Sequence, residues 1–345
     1  MKYYDQLNRV YNLQFAKTPE FWRKKSIPKS QIEYHKKNFS KYFDLPIEEF
    51  KGKKILETGA GPGLHAAILA LMGSNVYAAD KLKSNVIKMK KIKKLYKLNN
   101  LKISQHDFRK KYYISKDFEL ISCHNWIQHT PNPNLVLRQL VKRLKVGGRI
   151  YISCYLAGSF RFFITQIARS FLKKQDFKIV KKRIPFFFPT GFGKYKNPED
   201  IGPFHITDDF FTPYCVTTTY SDLINVAKNL NLKPYTKVPK IKKFLYKDNL
   251  PLRIGFIKSS KQNKLSTISH FSDPKNEFKK SQYKIKNECT KLSKIIIDNF
   301  KKKSTPLQRA DFALNLYKIR SQYCHSNTSQ KYNELKKLFT LQINS

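Results

Sequence analysis

The apolar positions of residues 53–80 change spacing twice. Ile55 and Leu56 sit in a short apolar run that predicts a buried strand, and the small-residue stretch from Leu64 to Leu71 predicts a helix. After a turn at Gly73-Ser74-Asn75, the residues from Asn75 to Ala79 predict a second strand that ends on Asp80. Strand, glycine turn, helix and strand make the β-α-β unit of a parallel sheet. Further on, Leu82, Val86, Met89 and Tyr96 recur at helical spacing among lysines, which predicts a surface helix with a basic outer face. Leu101–Gln105, Phe118–Cys123 and Arg149–Tyr155 then read as strands, with a helix over Leu135–Leu144. Ser221-Asp222 opens a helix to about Leu230, and Lys233–Val238 and Leu252–Lys258 read as the last two strands.

Around this α/β core the pattern loosens. Residues 1–50 are rich in aromatics and predict a helical cover ahead of the sheet. Residues 156–220 interrupt the strand series. They combine an apolar helical face (Phe160, Ile164, Ile167, Phe171) with the basic aromatic stretch KKRIPFFFPTGFGKYKNPED and a polar cluster of His205, Asp208, Asp209 and Tyr214. Residues 260–281 are linker-like. Residues 282–345 carry three further helical patterns, one opened by Thr305-Pro306-Leu307-Gln308, a capping box with proline at the first helical position.

The turn after the first strand carries the chemistry. Gly59 and Gly61 lack Cβ, so their backbone takes positive φ and comes close to a ligand. The helix behind them aims its N–H groups and positive dipole end back at the turn. A carboxylate at the end of the second strand, here Asp80, can accept hydrogen bonds from two ribose hydroxyls. A dinucleotide fingerprint starting at Gly59 needs glycine at 64, where the chain has Leu64; the third glycine stands one residue early, at Gly63.

Glu57-x-Gly59-x-Gly61-x-Gly63 instead resembles motif I of the class I S-adenosylmethionine-dependent methyltransferases. His129-Thr130-Pro131-Asn132-Pro133 and Lys145-Val146-Gly147-Gly148 resemble the segments that follow the fourth strand and precede the fifth in methyltransferases of ubiquinone and menaquinone biosynthesis, with Val146 in place of the usual proline. The resemblance spans residues 50–258. It implies a Rossmann-like fold with a mainly parallel seven-stranded sheet and helices on both faces, here with a helical C-terminal extension. It also implies S-adenosylmethionine as cofactor. On that basis Glu57 lies near the ammonium group and Asp107 takes the adenine amino group. Gly59, Ala60, Gly61, Gly63, Asp80, Lys81, Phe108, Cys123 and Asn125 complete the expected cofactor site. The 156–220 insertion is expected to shape the acceptor pocket, with His205, Asp208 and Tyr214 as substrate contacts.

The sulfonium methyl is already activated, so such an enzyme mainly aligns the acceptor and excludes water. A hydroxyl or acidic-carbon acceptor gains from a general base, and histidine suits neutral pH. His124, His129 and His205 are the candidates. No metal site is expected, because His124 and His129 are five apart with no carboxylate between them.

Composition alters this picture at one point. Lys+Arg number 68 against 24 Asp+Glu, a formal net charge of +44. Such a balance marks a nucleic-acid or anionic-surface partner, or it reflects lysine-rich coding bias; the spread of the lysines along the chain favours the second. Methyl transfer to a small molecule (quinone-like, lipid-precursor or sugar) is therefore the leading expectation. An RNA methyltransferase and a non-catalytic cofactor- or RNA-binding protein are the alternatives, and the basic aromatic stretch leaves peripheral membrane contact open. No Asn-Pro-Pro-Tyr-type motif supports base methylation. The five scattered cysteines lack a C-x-x-C pair and read as free thiols in a reducing, cytoplasmic setting. The start lacks the apolar segment of a signal peptide, and no run approaches the ~18 apolar residues of a membrane span.

Overall fold

A computed structural model describes residues 26–110, 117–156, 178–181, 207–238 and 251–260. The elements in chain order are α1 (Lys29–Phe43), β1 (Lys54–Thr58), α2 (Leu64–Leu71), β2 (Asn75–Asp80), α3 (Lys83–Leu95), β3 (Leu101–Gln105), β4 (Phe118–His124), α4 (Pro133–Val141), β5 (Leu144–Cys154), α5 (Tyr220–Lys228), β6 (Leu232–Pro234) and β7 (Leu252–Lys258). The seven strands form one sheet in the order β3-β2-β1-β4-β5-β7-β6. Strands β1 to β5 pair in parallel, and β7 runs antiparallel to both its neighbours.

Parallel strands covered on both faces are apolar throughout, and β1 and β4 fit: four of the five β1 residues are buried. One face packs Leu56, Ile121, Cys123 and Ile152 under α4 and α5. The other packs Ile55, Leu120 and Tyr151 under α1, α2 and α3, with Phe39 and Phe43 of α1 buried against it. Helix α1 is fastened at its C-terminal end. The Arg149 guanidinium donates to the carbonyls of Phe43 and Asp44, and the Tyr235 hydroxyl donates to the Tyr42 carbonyl at 2.6 Å.

The helix starts follow local chemistry. At α4, Asn132 caps by accepting from the Leu135 N–H at 3.0 Å, with Pro133 at the first position. At α5 the cap is Thr219, upstream of the expected Ser221: its hydroxyl accepts from the Asp222 N–H at 3.1 Å and donates to the Asp222 carboxylate at 2.7 Å. The strand β6 is three residues long and ends at Pro234, short of the expected Val238, because proline cannot donate to a ladder. The strand β5 begins at Leu144, earlier than Arg149, because Leu144 already pairs with Phe118 and the chain bulges between Leu144 and Arg149, where Gly147 takes φ +75°. Residues 1–25 and the expected linker and helical extension over 261–345 lie outside the described residues, as do 157–177, 182–206 and 239–250. Among the described residues no helix is long and apolar enough to cross a membrane.

Candidate active site

The C-terminal ends of β1, β2 and β4, where open α/β sheets bind ligands, converge on the glycine turn. Gly59 and Gly61 adopt φ of +56° and +54°. A Cβ on Gly59 would lie 2.4 Å from the Trp126 ring, so that glycine is needed for packing inside the protein. A Cβ on Gly61 would meet nothing within 4 Å: there the backbone borders open space, as a turn cradling a ligand must. At Gly63, φ +97°, the turn passes against Met89 of α3 and becomes the start of α2.

Asp80 ties the turn to β2. Its carboxylate accepts from the Gly61 N–H at 2.9 Å and from the Leu82 N–H at 2.8 Å. Burial outweighs these hydrogen bonds and pushes its pKa from 3.8 to about 6. The Asn85 side chain and the Lys81 N–H also bear on this carboxylate, so ribose hydroxyls would share its oxygens with donors of the protein. Glu57, 2% exposed, has one oxygen 3.7 Å from His65 Nδ1 and the other buried without a hydrogen-bond partner. An orphaned carboxylate oxygen beside open backbone fits a cationic ligand group.

On the other side of the turn, Phe108 and Trp126 face each other with ring centroids 5.4 Å apart, and the Trp126 indole N–H donates to Thr58 Oγ1 at 2.9 Å. The Asp107 carboxylate is engaged by Arg109, which donates to it from Nε at 3.0 Å and from Nη2 at 2.7 Å, while Lys81 Nζ stands 3.9 Å away. Lys81 is pulled down to about 8, chiefly by burial, with Asp107 opposing. Ala60 N–H donates to the Ala79 carbonyl. Asn125, at φ +53°, reaches from the end of β4 to Ser153 on β5. The Cys123 thiol points into the core beneath α4, where burial raises its pKa to about 12, so only its backbone borders the turn.

The three histidine candidates separate. His124 ends β4 with its ring half-buried and Nδ1 without a partner. It packs 4.9 Å from His65, 5.6 Å from Tyr42 and 5.8 Å from Tyr151, centroid to centroid. Burial, then His65, Arg253 and His35, hold its pKa well below 6.5, so it is neutral at neutral pH. His129 is 3% exposed; its Nδ1 donates to the Tyr214 carbonyl at 3.1 Å and its Nε2 faces the Gln128 amide at 3.3 Å. With both nitrogens engaged it joins the post-β4 turn to residue 214. His205 lies outside the described residues. The returning end of the insertion runs along this edge: Val216 N–H donates to the Gln128 carbonyl and Thr218 N–H to that of Tyr155. Asp209 accepts from the Tyr155 hydroxyl at 2.9 Å, Asp208 sits beside it on the short turn Thr207–Phe211, and Tyr214 is 40% exposed. Among the described residues no His, Cys, Asp and Glu cluster could hold a metal.

Sequence reasoning overlooked Trp126, His35 and His65. Trp126 follows β4 directly, which was a readable signal. The two histidines meet only because α1 docks over the start of α2, with rings 4.9 Å apart, and no local spacing announces that.

Seven strands in this order, with the glycine turn and two carboxylates at the C-terminal ends of β1 and β2, make an open α/β sheet with a candidate ligand site where such sheets bind ligands. Residues 49–181 match the family model described as a methyltransferase domain. The chain is 22% identical over 172 residues to a ubiquinone biosynthesis O-methyltransferase of Dechloromonas aromatica, covering 49% of this chain and 72% of that protein. It is 30% identical over 134 residues to a protein-L-isoaspartate O-methyltransferase of Christiangramia forsetii, covering 37% and 58%. Among solved structures, PKMT2 from Rickettsia typhi superposes with a TM-score of 0.50 at 16% identity, over 71% of this chain and 56% of that one. Residues 49–181 are thus similar to a methyltransferase domain, one that uses S-adenosylmethionine as its cofactor.

Proposed function

We propose that this enzyme methylates a hydroxyl or acidic carbon of a small-molecule acceptor bound over the C-terminal ends of β4 and β5. The observation that carries the reading is His124: a neutral, half-buried imidazole at the end of β4, with Nδ1 unpartnered and Glu57 one imidazole away through His65. Its Nδ1 is closed off from solvent, so a proton taken from an acceptor would enter at Nε2. The relative named for ubiquinone biosynthesis supports an acceptor of that general kind.

When bound, S-adenosylmethionine supplies a methyl group already activated on a sulfonium. The chain supplies placement. Asp80 would hold the ribose and Glu57 the ammonium, with Phe108 and Trp126 as one wall. Tyr42 stacked on Tyr151 at 4.2 Å closes the side below α1 against water. His124 accepts the acceptor's proton, and burial beside His65 and Arg253 then drives that proton off again.

The test uses S-adenosylmethionine labelled in its methyl group, offered with a panel of phenols, enols and carboxylic acids and, separately, with total RNA. Label is expected in a small molecule, and His124→Phe is expected to cut turnover while leaving S-adenosylhomocysteine affinity intact. Label confined to RNA, or full turnover in His124→Phe, defeats the proposal.

A further inference from the structure

Away from the glycine turn, His124, Ser153 and Arg253 stand in one row across the sheet. His124 of β4 pairs with Ser153 of β5, and Ser153 pairs with Arg253 of β7. Residues in register on adjacent strands share a face. Here it is the face under α1, because Ile152, Cys154, Leu252 and Ile254, the neighbours of Ser153 and Arg253 along their strands, pack on the other side. Strand β7 is antiparallel to β5, so its first residues lie at the C-terminal ends of β4 and β5. With strands ~4.8 Å apart, Arg253 is ~10 Å from β4 and ~14 Å from β1 and its glycine turn.

Arg253 is a cation without an answering anion. It is exposed, and among the described residues no carboxylate or carbonyl accepts from its guanidinium. Arg149, on the same face at the far end of β5, is by contrast taken up by the carbonyls of Phe43 and Asp44. What Arg253 faces is aromatic. Its guanidinium carbon lies 5.9 Å from the centroid of the Tyr42 ring, which is itself 5.6 Å from the His124 ring and stacked on Tyr151. The Tyr220 hydroxyl accepts from the Arg253 backbone N–H at 3.4 Å. Burial raises the three phenols and lowers the imidazole, so all four rings are neutral at neutral pH. A surface guanidinium alone needs no ligand. This one stands in register with the imidazole that takes the acceptor's proton, beside a wall of rings.

We propose that Arg253 binds a carboxylate of the acceptor while His124 takes the proton from the atom to be methylated. Resting on the reading of His124 as base, this narrows the acceptor to molecules that carry an acid group apart from the methylated atom. The guanidinium fork matches the two oxygens of a carboxylate. The ~10 Å between the two strands leaves room for one aromatic ring or a short chain between the acid and the reacting atom. Tyr42 lies beside both groups and offers its ring face to that spacer. As the reacting atom's bond to the methyl forms, the methyl's bond to the sulfonium breaks and the proton goes to His124 Nε2.

The experiment measures kcat/KM on the full chain with methyl-labelled S-adenosylmethionine and matched acceptors. Each hydroxy acid is compared with its neutral amide, 4-hydroxyphenylacetate with 4-hydroxyphenylacetamide among them. The acids are expected to be preferred at least tenfold. Arg253→Gln is expected to cut kcat/KM for the acids roughly tenfold to a hundredfold, as for loss of a hydrogen bond between charged groups, and to leave the amides and S-adenosylhomocysteine affinity unchanged. Arg253→Lys, which keeps the charge without the fork, is expected to recover part of the loss. Equal losses for acid and amide would reduce Arg253 to packing on Tyr42 and overturn the inference, as would equal methylation of both by the unaltered chain. Weaker S-adenosylhomocysteine binding in Arg253→Gln would assign the guanidinium to the cofactor and overturn it too. Label in neutral molecules only defeats this inference and spares the small-molecule reading; label in no small molecule defeats that reading first. If Arg253→Gln does not fold, Arg253→Lys and the acid-to-amide ratio of the unaltered chain still decide.

Discussion

The carboxyl of Asp80 makes the cofactor site sensitive to pH in a direction that can be worked out. In the ligand-free protein its pKa is about 6 against a normal 3.8, burial being the largest cause. For stability, the folded carboxyl holds its proton more tightly than the unfolded one. Stability therefore falls as pH rises from 3.8 to about 6, by about 3 kcal/mol at ~1.36 kcal/mol per unit. Ligand binding carries the opposite sign. Two ribose hydroxyls donating to the carboxylate favour its ionised form and pull the bound-state pKa below the free-state value. Affinity is then full above pH 7, and between the two pKa values it drops by about tenfold per pH unit as pH falls. The assay is titration of 5′-methylthioadenosine from pH 5 to 8. This ligand carries the ribose but no amino-acid end, so His65 and His35 do not enter. Trp126, whose ring packs against Gly59, supplies a fluorescence signal alongside calorimetry.

Asp80→Asn isolates the term. The amide offers one oxygen where the carboxylate offers two, and its NH2 must face either the Gly61 or the Leu82 N–H. A loss of about 1.5–3 kcal/mol in nucleoside affinity follows, with the pH dependence below 6 abolished. The fold tolerates the change, because about 1–3 kcal/mol for an unpaired N–H is offset by removal of a buried charge. Affinity that stays flat from pH 5 to 8 in the unaltered protein, or a slope that survives Asp80→Asn, would refute this account of Asp80.

The two turn glycines should respond differently. Gly59→Ala drives a methyl into the Trp126 ring and is expected to cost about 2–4 kcal/mol in urea unfolding, from overpacking plus strain at positive φ. Gly61→Ala meets open space and should cost only about 1–2 kcal/mol of stability, yet abolish S-adenosylhomocysteine binding in calorimetry. His129→Ala should lower stability by about 1–3 kcal/mol through loss of the Tyr214 contact, leaving the pH profile of turnover unchanged. If the charge of +44 is coding bias, RNA binding followed by fluorescence anisotropy should be weak, fall steeply with salt and lack sequence preference; tight binding to one RNA class at physiological salt would favour an RNA acceptor.

What was legible in the sequence was whatever depends on backbone or on short spacing. Glu57, the glycines and Asp80 are confined to one β-α-β unit, and their roles follow from φ, helix direction and strand ends. They sit where the pattern puts them. Cys123 and His124 show the limit. The twofold alternation of a strand sends them to opposite faces, but which face lies toward the ligand depends on helices docked from elsewhere. Here α4 covers Cys123, and α1 lies over His124. His129 read as a base because histidine titrates near neutrality, yet Tyr214, 85 residues away, claims its Nδ1. Asp107 stands where expected, but Arg109 two residues on holds its carboxylate, so an adenine amino group must share those oxygens with a guanidinium.

The histidines packed beside Glu57 were the least readable part of the site. They are His35, His65 and His124, drawn from α1, α2 and β4 and brought together by apolar packing of Phe39 and Phe43 on the sheet. None of the three carries a motif, and each alone is an ordinary half-buried histidine. Glu57 stands against this aromatic cluster, with one oxygen 3.7 Å from His65 Nδ1 and the other buried without a partner. A buried carboxylate with an unused oxygen is costly unless a ligand completes it. The cost of leaving Glu57 incomplete in the free protein is therefore itself an argument that the amino-acid end of the cofactor belongs at this point of the fold.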